Sequence, residues 1–304
     1  SLLARTAAAF APAAGPGPAA GPGMAWRPVF VRPVGRPGAL GVRIALALEY
    51  CGARFRGWQR QHGERTVQAC LEDALSSVAG RSIRVQCAGR TDTGVHASYQ
   101  VAHFDGEGCA GRPLRAWTLG SNTLLPADIA VLWARPAPAE FHARYAARRR
   151  CYRYLILNRP ARPGLRAAMA AWEPRELAVT AMGEAAAHLV GEYDFTSYRG
   201  GGCQAKNPRR RIYRLQVWKR GDLVILEVEA NAFLQRMVRN IAGVLIMVGL
   251  GRRKPAWARE VLYARDRSRG GFTASPAGLY LADVRYPAEY RLPRPLCYPG
   301  GAPP

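Results

Sequence analysis

The chain has 304 residues, 49% of them hydrophobic, with 44 Lys and Arg against 21 Asp and Glu and a formal net charge of +23. That is room for one large domain or two of ordinary size with a real core, and the excess of base calls for a polyanionic partner, nucleic acid first. The longest unbroken apolar run, Ile241 to Gly251, is shorter than the ~20 residues a membrane helix needs, and seven scattered cysteines without a C-x-x-C pair argue against a disulfide framework or zinc site and fit a reducing compartment.

Residues 1–23 are mostly Ala, Gly and Pro, and no acid occurs before Glu49, so a disordered leader is expected over 1–40. An acid-poor organellar transit peptide is the alternative, although the Pro-Gly steps at 15–23 break an amphipathic helix. Val42, Ile44, Leu46 and Leu48 alternate with Arg43, Ala45, Ala47 and Glu49, which predicts a strand. Thr66 caps a predicted helix whose apolar stripe is Val67, Cys70, Leu71, Ala74, Leu75 and Val78, closed by Gly80. Strands at 82–88 and 98–104, a helix at 113–120 and a strand from Ile129 to Trp133 complete a β-α-β-β-α-β series.

The second half repeats the series. Tyr152, Tyr154 and Ile156 mark a strand, and a helix is expected over about 176–190. Ile212–Trp218 and Leu223–Val228 form a hairpin around Gly221-Asp222. A long helix runs from Phe233 to Gly249 or Gly251, an extra helix covers 256–265, and Leu279–Val284 is the last strand. The expectation is an α+β protein of two ferredoxin-like halves, 41–147 and 148–290, with antiparallel sheets joined into one extended sheet, helices on one face and a tail over 291–304. A sheet face bearing basic and aromatic residues suits RNA.

The stretch from Cys87 to Ala97 carries the most chemistry. It is a loop between two strands, with Gly89 and Gly94 at its ends and Arg90 and Asp92 on it. Asp92 is either a presented nucleophile or a turn aspartate bonding its own backbone. On the long helix, Arg236, Arg239, Asn240 and Gly243 form a stripe away from most apolar positions; a surface arginine is the default there, but on a helix apolar enough to be largely buried Arg239 needs a carboxylate partner, and Asp92 would serve. An arginine beside an acid favours the charged form that a nucleophile requires. Around Tyr50, Phe55, Trp58, Gln59 and Gln61, core packing and RNA contact are equally open. Aromatics among guanidiniums at Phe141–Tyr145 and Arg148–Tyr154 fit phosphate contact with base stacking better than a solvated charge run. The histidines do not pair as metal ligands, and His96 and His103 read as structural. Asp92-Thr93-Gly94 matches the D-T-G triplet of aspartic proteases, but no second such triplet occurs and the lead-in Arg90-Thr91 is unlike theirs.

Several ordered motifs together resemble the bacterial TruA-type tRNA pseudouridine synthases from about Val42 to Tyr290. They include Phe55-x-Gly57-Trp58-Gln59, Thr66-Val67-Gln68, Gly89-Arg90-Thr91-Asp92-x-Gly94-Val95-His96-Ala97, Leu125-Pro126-x-Asp128-Ile129, Phe141-His142-Ala143-Arg144, Asp194-Phe195-Thr196-Ser197, Met237-Val238-Arg239-Asn240 and Gly278-Leu279-Tyr280-Leu281. Cys51 and Ser275 depart from the family pattern outside the catalytic set.

The resemblance implies isomerisation of uridine to pseudouridine in the tRNA anticodon arm, at tRNA positions 38 to 40, with Asp92 as nucleophile, Tyr152 against the target base and Arg239 as the ion-pair partner of Asp92. It implies that Arg90 helps hold the base out of its stack. Arg112, Phe141, His142, Ala143, Arg144 and Tyr145, with Gly202, Cys203, Gln204, Ala205 and Lys206, are implied as tRNA contacts. A cytoplasmic homodimer working without metal or cofactor is implied too, because moving uracil from N1 to C5 involves no net redox change. A silent tRNA-binding protein or chaperone on the same fold is the competing expectation.

Overall fold

The computed structural model describes residues 43–107, 111–295 and 298–301; the expected leader, Val42, Cys109 and Cys297 lie outside the described residues. The first strand, β1 (Arg43–Tyr50), leads through a loop to α1 (Val67–Ala79). Thr66 Oγ1 accepts the Ala69 N–H at 3.3 Å, and Gly80 closes the helix at φ +70, where a side chain would be strained. The strand expected at 82–88 shrinks to β2 (Gln86–Cys87). Its preceding N–H groups are already taken by α1: Ile83 donates to Ser76 Oγ at 2.8 Å and Val85 to Glu72 Oε1 at 3.1 Å.

β3 (His96–Asp105) follows, then a π-helical turn (Ala116–Gly120), α2 (Ser121–Leu124) and β4 (Ile129–Ala137). The second half contains β5 (Arg149–Asn158), β6 (Ala171–Glu173), α3 (Val179–Ala187), β7 (Gly191–Asp194), β8 (Arg209–Arg220) and β9 (Leu223–Ala230). It ends with α4 (Met237–Gly249), α5 (Trp257–Ala264) and β10 (Leu279–Arg285). α4 starts later than its apolar pattern suggests, because Arg236 takes a left-handed conformation at φ +59 and breaks the helical path.

Among the described residues ten strands join one sheet in the order β4-β1-β3-β10-β5-β9-β8-β7, with β2 on β3 and β6 on β5. The first four strands run β4-β1-β3-β2, and β5, β8, β9 and β10 run β10-β5-β9-β8, so each half places its first strand between its fourth and third. Pairing is antiparallel except at β3–β10 and β5–β6. One edge of β3 is divided between two partners. β2 pairs with Ala102 and His103, whereas Tyr280 and Leu281 of β10 pair in parallel with His96 and Ala97. The loop carrying Asp92 leaves the sheet between these two pairings.

Tyr152, Tyr154 and Ile156 of β5 pack into the main core with Met237, Ile241, Leu245 and other residues of α4. Leu155 and Leu157 enter a smaller cluster with Ile225 and Tyr280 on the opposite face. The C-terminal segment lies over that second face: Tyr99 Oη donates to the Pro293 carbonyl, Arg153 Nη1 to Pro299 O at 2.9 Å, and Arg294 Nη2 to Asp283 Oδ2 at 2.7 Å.

Candidate active site

The Asp92 loop is held from both sides. The Gln100 amide spans Gly89, Nε2 donating to its carbonyl at 2.6 Å and Oε1 accepting its N–H at 3.4 Å. Tyr50 Oη meets Thr91 Oγ1 at 2.8 Å, and Trp58 N–H donates to Thr91 O at 3.0 Å. Gly57, at φ +91, brings its backbone so close that a Cβ would lie 2.7 Å from Thr91 O. Phe55 and Trp58 are fully buried, so the aromatics of this neighbouring loop serve the core and brace the Asp92 loop from behind. Of the two expected glycines, Gly94 has positive φ, at +77, and Gly89 does not.

Asp92 keeps 31% of its side chain exposed, and its Oδ2 lies 3.8 Å from Nη1 of Arg239, which is 14% exposed. The Arg239 Nε donates to Ala274 O at 2.7 Å, so the protein's own backbone aims the guanidinium. Burial lowers the Arg239 pKa, and the Asp92 charge opposes that shift. Tyr152 is buried, with its ring edge-on to Phe233 at 4.9 Å between centroids. Its hydroxyl is 3.7 Å from where a Cβ on Gly89 would stand. Burial raises the Tyr152 pKa; Arg150 opposes this and Asp92 adds to it. Asp92, Arg239 and Tyr152, expected from the sequence as one group, are therefore neighbours, and Arg90 is exposed on the same loop.

The expected RNA contacts divide. Phe141 and Ala143 have no accessible surface: Phe141 packs on His103, Tyr286 and Tyr290, and the Ala143 N–H donates to His103 Nδ1 at 3.1 Å. Their alternation turns both side chains inward, where they fix the shape of the segment. Between them, His142 Nε2 bonds Gln86 Oε1 at 2.7 Å, while Arg144 and Tyr145 point outward, Tyr145 with 75% of its surface exposed. Arg112 is exposed and donates to Ala79 O at 3.2 Å, at the end of α1. Gly202, Gln204 and Lys206 are exposed and Cys203 and Ala205 half-buried, just beyond the Gly200 N–H bond to Gln235 O that ties this loop to the start of α4.

The run Arg148–Arg150 also divides. Arg148 is exposed, Arg149 pairs with Glu229 at 2.7 Å, and Arg150 is buried. Arg148 is the one of the three left free for phosphate; Arg149 is partly exposed but engaged by Glu229, and Arg150 is committed inside the protein.

Sequence reasoning singled out Tyr50 only as a core or RNA-facing aromatic, not as a support of Thr91, and did not find Gln100 or the segment that aims Arg239. That segment lies backbone-to-backbone on α4, where a Cβ on Gly243 would stand 1.8 Å from Phe272 O. It continues to Pro276, whose ring atoms lie 3.0 and 3.3 Å from a Cβ built on Gly94. Gly243 in a buried helix was the available signal. Two clefts, one around Leu165 and Gly300 and one between Tyr145, Arg148, Tyr213 and Tyr290, do not include Asp92. Among the described residues no group of three or more His, Cys, Asp or Glu could hold a metal ion, and no helix is long and apolar enough to cross a membrane.

A family model described as tRNA pseudouridine synthase matches residues 46–146 and 185–287, which places both halves of the sheet and the Asp92 loop in the pseudouridine synthase class. The tRNA pseudouridine synthase A of Methylococcus capsulatus is 54% identical over 253 residues, covering 83% of this chain and 93% of that protein. That of Pseudomonas aeruginosa is 54% identical over 257 residues, covering 84% and 90%. The chain belongs to the tRNA pseudouridine synthase family. Among solved structures, a Cbf5-Nop10-Gar1 complex aligns over 66% of this chain and 54% of its own at 12% identity and a TM-score of 0.29.

Proposed function

We propose that the protein isomerises uridine to pseudouridine in the anticodon arm of tRNA, at tRNA positions 38 to 40, with Asp92 as the reacting carboxylate. The observation that carries this reading is Asp92 itself: an accessible carboxylate 3.8 Å from a guanidinium that a backbone carbonyl already orients. The reaction breaks the bond from C1′ to N1, rotates uracil and joins C1′ to C5; C5 loses a proton and N1 gains one. Attack on the sugar, attack on the base and assisted elimination all require a charged carboxylate at an extruded nucleotide. Tyr152 forms a wall for that base, and Arg90 takes its place in the stack.

Exposed Arg112, Arg144, Tyr145, Gln204 and Lys206 supply tRNA contacts, and Phe141 and Ala143 hold their segment in shape. The reading includes a homodimer in the cytoplasm, with one tRNA touching both subunits. Incubation with unmodified tRNA followed by nucleotide-resolved mapping tests the assignment. Asp92→Asn should cut pseudouridine formation at least about a thousandfold and leave tRNA affinity within a few-fold. Retained turnover in that variant would make Asp92 an ordinary turn residue, and no pseudouridine from the unaltered protein would leave a tRNA-binding scaffold.

A further inference from the structure

Arg150, the second residue of β5, is 9% exposed, yet no carboxylate meets it among the described residues. Its hydrogen bonds all end on backbone carbonyls. Nε and Nη2 hold Ala88 O at 3.0 and 2.8 Å, Nη2 also holds Arg144 O at 2.7 Å, and Nη1 holds Asn231 O at 3.0 Å. Arg153, buried on the other face of the same strand, does have an acid, Glu227, at 2.7 Å. Burying a cation without a counter-ion is expensive, and a purely apolar side chain would fill the space at lower cost.

The three carbonyls belong to three separate segments. Ala88 is where β2 turns into the Asp92 loop, Arg144 lies on the segment between the halves, and Asn231 follows β9. A Cβ on Gly89 would lie 3.8 Å from Arg150 Nε and 3.7 Å from Tyr152 Oη. The guanidinium therefore underlies the start of the loop, beside the tyrosine two residues along its own strand. Gln100 and Tyr50 hold the loop from the first half of the sheet; Arg150 holds it from the second.

We infer that Arg150 is a positioning residue that sets the Asp92 loop against Tyr152, and acts on the chemical step far more than on tRNA affinity. The inference rests on Asp92 as the reacting group. It depends on the planar fork of guanidinium, which reaches several carbonyls at once; a lysine ammonium carries the charge without the span. A small displacement of a reacting group is enough to slow a positioned reaction about a hundredfold.

The experiment compares the full chain with Arg150→Ala and Arg150→Lys, measuring thermal unfolding, tRNA affinity and single-turnover pseudouridine formation with and without ethylguanidinium. Both variants should lose about a hundredfold in single-turnover rate with tRNA affinity within a few-fold. Ethylguanidinium should restore about tenfold to the alanine variant and leave the unaltered protein unchanged. A full rate in Arg150→Lys, a loss that follows tRNA affinity or the unfolded fraction, or no recovery with ethylguanidinium in a folded alanine variant overturns the inference. If Arg150→Ala does not fold, the rate of folded Arg150→Lys decides. An unaltered protein without activity, or an active Asp92→Asn, instead sinks the functional reading beneath it.

Discussion

His103 lies inside the sheet at 3% exposure, and its Nδ1 accepts the Ala143 N–H at 3.1 Å, which fixes a neutral ring protonated on Nε2. Burial first, then Arg43 and His142, push its pKa down to about 4. An unfolded histidine titrates near 6.5, so between these values the unfolded chain holds a proton that the folded chain does not. The stabilisation is complete above pH ~6.5 and is lost as pH falls toward 4. By pH 5 the loss from this one ring is on the order of 2 kcal/mol. Asparagine keeps an acceptor for Ala143 and does not titrate. Unfolding midpoints measured from pH 7.5 to 5 should therefore fall more for the unaltered protein than for His103→Asn; parallel profiles would contradict the assignment. Asp92 was legible from the sequence because its loop is local, with glycines at both ends and strands on either side. Its distant supports were not, because Tyr50 and Arg150 reach the loop from other strands and Ala274 aims Arg239 from a segment nearly two hundred residues further on.

At the level of elements, α4 and the segment after α5 form one device. Gly243 lets the backbone of Phe272 approach α4, Ala274 N–H bonds Arg239 O at 3.1 Å, and Ala274 O aims the Arg239 side chain. In most helix interiors Gly→Ala stabilises by about 1 kcal/mol. Here the added Cβ would stand 1.8 Å from a carbonyl oxygen, and the sign reverses. Gly243→Ala should destabilise by about 2 kcal/mol or more in denaturant unfolding, and slow turnover because Arg239 loses its orienting carbonyl. A stabilised variant would show that the segment moves aside freely. The repeated strand and helix order was readable from alternation because tertiary packing follows that pattern. Boundaries failed where another group intervened, as Glu72 and Ser76 did at β2 and the Arg236 backbone did at α4. β6 and β7, of three and four residues, are too short to show a period.

Over the whole molecule, the net charge of +23 overstates what is free to meet RNA. Arg149 is paired with Glu229, Arg150 is spent on carbonyls, and Arg153 is paired with Glu227, whereas Arg90, Arg112, Arg144 and Arg148 are exposed. Replacing a phosphate-bound arginine lowers the slope of log affinity against log salt by nearly 1. Arg148→Ala should do this for tRNA binding, and Arg149→Ala should do so less, as titrations at several salt concentrations will read. An unchanged slope for Arg148→Ala would remove that residue from the binding surface.

The pairing of β10 with β3 also has a consequence for a chain still emerging from the ribosome. The strands β1 to β4 are made early, and the Asp92 loop with them. Tyr280 and Leu281 against β3, Pro276 against Gly94 and the carbonyl that aims Arg239 come only with the last strand or just before it. Nascent protein therefore carries Asp92 long before that carboxylate has its arginine, and the pair is assembled only once the segment leading into β10 has been made.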